Sequence, residues 1–308
     1  TLIQSIGVSV GLNSLTGHSG QGAISIDMNT FIAISAISML TGTMLLMWIG
    51  EQITQKGIGN GISLIIFAGI VSAIPSAIGG TIDLVNNGQM NFLVVVAILV
   101  IIMATVGAII YVELGERRVP VSYSRKVMIE NQKKRVMNYI PIKVNLSGVI
   151  PAIFASAILM FPSTVLQGSQ NKYLMMIADY LNPSSYTFNL FMFLFVLFFA
   201  FFYASITFNA KDIAENLKKQ GGFIPGVRPG ASTAEFLNEV ASRLTFWGAI
   251  YMGLISTLPW LIVKSMGVPF YFGGVSVLIV VQVAIDTMRK IEAQQYMNKY
   301  QTLSAVGL

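Results

Sequence analysis

Few side chains in this sequence are equipped for catalysis. The one histidine, His18, sits in a Gly- and Ser-rich stretch at 13–28, and cysteine is absent. A metal site needs three or four ligands, and a Ser or Cys triad needs a histidine base, so His18 is read as solvated and without a role. HExxH, CxxC and P-loop patterns are missing too. Gly57, Gly59 and Gly61 imitate a dinucleotide-binding loop, but Ile62 stands where its last glycine belongs and apolar runs flank it on both sides. Glu51, Glu113 and Asp286 close apolar runs rather than interrupting them. Proton-coupled transporters hold carboxylates or histidine at mid-membrane depth, and ion channels line their path with polar or charged groups. No enzyme, metal or cofactor is expected.

The charges that remain lie on loops, and apolar elements must position them. Of 308 residues, 54% are hydrophobic and 10% charged, against roughly 25% charge in soluble domains. Runs at 29–50, 60–79, 91–112, 146–166, 187–208, 245–263 and 269–288 are each long enough to cross a bilayer. The expected fold is all-α, a multi-pass transmembrane bundle of seven complete spans. Residues 1–12 are too short to cross and read as the end of a truncated span, not as a signal peptide, because they carry no basic leader. Segments 51–59, 113–145, 209–244 and 289–308 hold 17 of the 19 Lys and Arg residues. The positive-inside rule puts these in the cytoplasm, with the C-terminus.

The loop 209–230, NAKDIAENLKKQGGFIPGVRPG, stands out. Its first half reads as an exposed helix in which Lys211, Glu215 and Lys219 sit four residues apart. Its second half is too rich in Gly and Pro to be helical, and it holds Arg228 between two turn-forming pairs. Ser232 and Glu235 read as a capping box opening a short helix that carries Glu239 and Arg243 before the membrane resumes near Leu244. In the other protrusion, 113–145, Val119–Ser124 has β character, and the basic clusters around it include Arg117, Arg118, Lys133, Lys134 and Arg135. Such clusters suit anionic headgroups or a polyanionic partner equally.

Three features concern the spans themselves. Asn60 reads as an N-cap, and Ile62, Ile66 and Ile70 share one face of the helix it opens. By themselves these isoleucines are ordinary packing or lipid-facing residues. The run 145–166 contains Pro151 and Pro162, so it can bend or move, and small residues Ala152, Ala155, Ser156 and Ala157 let it pack closely against a neighbour. The run 187–208 is crowded with Phe on all sides, Asp83 is placed in an external loop, and the tail after Lys290 is read as frayed.

Five stretches, GEQITQKGIGNGIS (50–63), VNLSGVIPAIFAS (144–156), LMFPSTV (159–165), GGFIPGVRPG (221–230) and VPFYFGG (268–274), resemble the SecY family, the central subunits of bacterial protein-conducting channels. The resemblance covers the family's last seven spans and the end of the one before, so that 13–79 holds two spans of the N-terminal half and 91–288 the five-span C-terminal half. It implies that Ile62, Ile66, Ile153 and Ile279 belong to a pore ring of bulky aliphatics. It also implies that Pro151, Phe161 and Pro162 lie in the lateral gate, the seam through which a signal sequence reaches lipid. Arg228, Arg117, Arg118, Lys133, Lys134 and Arg135 would then dock a SecA-like ATPase or the ribosome.

The function implied is conduction of unfolded secretory polypeptides across the bacterial cytoplasmic (inner) membrane, with sideways release of hydrophobic segments into membrane lipids. SecE-like and SecG-like membrane subunits are the implied partners. With no nucleotide site in the chain, energy has to come from a partner. A secondary transporter of small solutes would also use broken helices, but the missing midplane carboxylates and the long docking loops count against it. A membrane-embedded scaffold is the third reading, favoured if the isoleucines face lipid.

Overall fold

Where no water is available, the backbone must bond to itself, and a helix is the local way to do so. The seven apolar runs accordingly become helices. The computed structural model describes residues 5–9, 27–57, 59–123, 138–167, 172–265 and 273–305. Along the chain these form α1 (Met28–Lys56), α2 (Gly61–Asn86), α3 (Phe92–Glu113), β1 (Glu116–Tyr123), β2 (Asn138–Lys143), α4 (Ile150–Gln167), α5 (Lys172–Tyr180), α6 (Tyr186–Thr207), α7 (Ala210–Lys219), β3 (Gly222–Phe223), α8 (Ala231–Ser265) and α9 (Gly274–Ala305). Among the described residues, α1, α2, α3, α6 and α8 contain windows long and apolar enough to cross a membrane. The apolar part of α4 is shorter, Ile150–Ser163, and α9 carries Asp286, Arg289 and Lys290 within its first five turns. A helical turn at 5–9 joins α1 through Ser9 and Ser35, whose hydroxyls are hydrogen-bonded.

Local signals set the helix starts. The Asn60 side chain accepts from the amides of Ile62 and Ser63, Asn91 caps α3 through Leu93, Ser185 caps α6 through Thr187, and Asn209 caps α7 through Lys211 and Asp212. Each satisfies amide groups that a helix N-terminus otherwise leaves open. Gly61 is essential to the α1–α2 turn: a Cβ there would stand 1.9 Å from the Gly50 carbonyl oxygen.

Several expectations are corrected. α2 runs on to Asn86, so Asp83 lies on a helix rather than in a loop. α1 continues to Lys56, shortening the predicted turn at 51–61. Pro151 is the second residue of α4, where no intrahelical N–H bond is lost, so only Pro162 interrupts that helix. Pro75 and Pro259 lie inside α2 and α8 in the same way, so α4 is not singular. Ala157 is exposed, leaving Ala152 and Ala155 as the close-packed face. α8 starts at Ala231 and runs unbroken into the apolar segment, so Ser232 lies inside its first turn and no capping box forms. The Thr233 hydroxyl instead donates to the Arg228 carbonyl. Among the described residues, Lys211, Glu215 and Lys219 make no ion pairs; the pairs present are Arg118–Glu116, Lys143–Asp286 and Arg243–Glu239. Beyond Lys290 the chain stays helical to Ala305.

The elements gather round two cores. In the bundle, α6 packs on α4 and α8, α9 on α2, α3 and α8, and α1 on α2. Ile109, Ala152, Ala155, Val196, Met252 and Leu278 are fully buried there. Small residues on α4 and α6 let those backbones approach, which matters because lipid removes most of the hydrophobic drive between helices. The second core lies outside the bundle, under a three-stranded sheet ordered β2-β1-β3, a departure from an all-helical chain.

Candidate functional site

The sheet joins segments that look independent in sequence. β1 and β2 pair antiparallel from Glu116↔Lys143 to Val121↔Asn138, and β1 also pairs with β3 at Ser122↔Phe223 and Tyr123↔Gly222. Alternation along β1 turns Val119 and Val121 inward. They meet Ile142, Leu217, Ile224 and Leu237 in a core that α7 and the start of α8 close. This core is a compact cluster of buried aliphatic side chains, held by hydrophobic burial. The two predicted protrusions are therefore one platform.

Its basic residues are presented differently. Arg228 is exposed, and among the described residues its side chain has no hydrogen-bond or ion-pair partner. Its backbone is fixed instead: Ile224, 3% exposed, anchors the turn, Val227 N–H donates to the Ile224 carbonyl, and buried Thr233 holds the Arg228 carbonyl at 2.8 Å. Gly226 and Gly230 take positive φ of 85° and 106° on either side, the left-handed backbone that favours glycine. Arg118 donates to Glu116 at 2.7 Å and lies 4.8 Å from the Tyr139 ring centroid. The Glu116 carboxylate raises the guanidinium's pKa above its already high value. Arg117 is exposed beside it. Lys133, Lys134 and Arg135 lie outside the described residues.

Between platform and bundle lies a polar knot that sequence reasoning missed. Asn145 Nδ2 donates to Glu113 Oε1 at 2.7 Å, while Asn145 Oδ1 accepts from the Gly148 amide at 3.1 Å and from Ser147 Oγ at 3.3 Å. Glu113, Asn145 and Ser147 are all buried. The knot ties the end of α3 to the connector between β2 and α4. Beside it, Lys143 reaches Asp286 on α9 at 3.4 Å, at a cleft of about 280 Å³ that Gln282 also lines. The one local signal is a carboxylate ending an apolar run, and by composition it reads as solvated.

Below the knot, Ile279 is buried in the bundle core, and Ile66 and Ile153 pack against the same cluster. Ile62 is not gathered with them. It is 50% exposed and lines a groove between α1 and α2 with Leu40, Met44 and Met47. In α4, Pro151 is fully buried, whereas Phe161 and Pro162 are half-buried. Phe154 on α4 meets Phe199 on α6, with ring centroids 5.9 Å apart. The aromatics of α6 divide between core and surface: Phe188 is buried, while Phe198 and Phe202 stack on each other on the exposed side.

The arrangement joins an exposed basic surface to an apolar bundle. The comparisons agree with it. The SecY family model matches residues 1–288. The protein translocase subunit SecY of Helicobacter pylori (strain 26695) is 67% identical over 308 residues, covering all of this chain and 73% of the relative. That of Escherichia coli K12 is 41% identical over 305 residues, 98% of this chain and 68% of the relative. A solved protein-conducting channel superposes with a TM-score of 0.70 over 96% of this chain and 70% of the other; at 18% identity that likeness speaks for the fold.

Proposed function

This chain belongs to the SecY family, and from that premise we propose how it works as a subunit of a protein-conducting channel. It is a multi-pass membrane protein whose relatives are translocase subunits. Unfolded secretory chains enter at the platform end and pass the apolar side chains of Ile62, Ile66, Ile153 and Ile279. Such side chains hold no cargo tightly, and they dewet when the path is empty, which limits ion leakage. α4, with Pro162 inside it and Phe161 alongside, moves against α6 to release hydrophobic segments into lipid.

The platform receives the driving partner, a SecA-like ATPase or the ribosome. Arg228, Arg117 and Arg118 meet its acidic face or RNA, with Lys133, Lys134 and Arg135 on the same protrusion. SecE-like and SecG-like subunits complete the assembly in the bacterial inner membrane, with the platform and C-terminus cytoplasmic.

The observation that carries this reading is continuity. α8 begins on the platform beside Arg228 and runs unbroken into the core that holds Ile279. A push at the surface therefore reaches the path through one rigid element. Full-length protein in planar bilayers tests the seal: Ile66→Ser or Ile153→Ser raises ion conductance of the resting channel. Unchanged conductance in both, with normal protein levels, contradicts an apolar seal at these side chains.

A further inference from the structure

Helix α5, Lys172–Tyr180, joins the far end of α4 to the start of α6 and packs on both. Ala178, 5% exposed, faces them. On another side Tyr173, Met176, Ile177 and Tyr180 are 79%, 60%, 48% and 55% exposed. That spacing of i, i+3, i+4 and i+7 is one helix face. At ~100° per residue the stripe is about 100° wide, with Asp179 roughly 110° from its middle and Ala178 about 150°. Asp179 is exposed. The helix thus has three sectors, one against protein, one polar, and one apolar with a tyrosine at each end.

The surroundings fix the level at which this stripe lies. At the same end of the bundle, the Lys264 ammonium sits 3.8 Å from the Tyr186 ring centroid and 4.7 Å from that of Trp260, and it donates to the Ser184 carbonyl at 3.0 Å. Tyr, Trp and a lysine reaching past its apolar stem are the side chains that mark the headgroup level of a bilayer. Ser184 and Tyr186 follow α5 within a few residues, so helix and belt share that level.

We propose that α5 is an interfacial helix, lying along the headgroup–acyl boundary at the end of the bundle away from the sheet, its Tyr173–Met176–Ile177–Tyr180 stripe in lipid. Its apolar stripe, the exposed Asp179 on its flank and the tyrosines at its ends fit that position. It tethers the outward end of α4 to the bilayer. The proposal needs only that α6 crosses the membrane, so it stands or falls apart from the channel reading.

Because these residues contain no cysteine, single labels are readily placed once any cysteine elsewhere in the full-length protein is replaced. Nitroxides at M176C and D179C, in full-length protein in phospholipid vesicles, are relaxed by oxygen, which concentrates in lipid, and by a water-soluble nickel chelate. The expected result is an inversion: oxygen dominates at Met176 and nickel at Asp179, with I177C repeating the Met176 result from a second position. Nickel dominating at both Met176 and Ile177 would place the helix in water. Shielding of both from either reagent would mean a protein partner covers the stripe. Either result overturns the proposal.

Discussion

Ser122 and Phe223 stand opposite each other in antiparallel register, although helices α4 to α7 lie between them in sequence. That pairing makes the two basic protrusions a single body. Ile224 and Leu237, 3% and 0% exposed, supply its core. Leu237→Ala removes buried apolar volume at a cost of about 2–5 kcal/mol. We expect it to open the platform to limited proteolysis near Gly221–Gly230 while the apolar helices still insert. Protease resistance equal to wild type would show that the two segments do not depend on each other.

Arg228 lets the proposed docking role be tested apart from folding. Its side chain is exposed and has no bonded partner among the described residues, so reversal costs little stability, within about 0.5 kcal/mol. Arg228→Glu should abolish ATP-driven export into inverted vesicles with membrane levels unchanged. Arg118→Glu should do two things, losing a charge proposed to dock the partner and placing a second carboxylate beside Glu116, so its platform also loosens. Normal export by the Arg228 variant removes that residue from the docking surface.

The buried Glu113–Asn145 bond predicts a pH effect. Asn145→Leu leaves a buried carboxylate without its 2.7 Å donor, a loss of about 1.5–3 kcal/mol for a bond to a charged group. Asn145→Asp sets two carboxyls face to face, and protonating one restores a donor. Its thermal melting deficit should therefore shrink as pH falls; that of Asn145→Leu, where protonation removes the buried charge but restores no partner, should shrink less. Melting of the detergent-solubilised full-length protein at several pH values decides it.

Glycine at the α1–α2 turn is a matter of space. Gly61→Ala would put Cβ 1.9 Å from the Gly50 carbonyl oxygen, whereas nothing lies within 4 Å of a Cβ at Gly69 in the same helix. Overpacking against backbone costs about 1–3 kcal/mol or more. Gly69→Ala should be neutral or slightly stabilising, since alanine is the better helix former. Equal melting temperatures for the two variants would contradict the close crossing.

Much of this architecture is legible in the sequence, because apolar length and local caps are local properties. The seven runs, Asn60 as a cap and the turns around Arg228 all follow from nearest neighbours. The pairing of Ser122 with Phe223 does not, since a two-residue strand has no pattern of its own and exists only because β1 is there. Glu113 reads as a solvated run-end, and only the fold brings Asn145 to it. For Pro151 and Ser232 the difference lies in where their helices begin, a boundary that one residue decides. The isoleucines were legible as a family pattern alone, and the fold gathers Ile66, Ile153 and Ile279 while leaving Ile62 in a separate groove.

The central claim is that a polypeptide passes these isoleucines. The most direct measurement places a photo-crosslinker at Ile66, and separately at Ile279, in the full-length protein, and stalls a secretory precursor in transit. Both sites should form adducts with the precursor. If neither does, while a lipid-borne probe labels both, the isoleucines face lipid and the polypeptide path lies elsewhere.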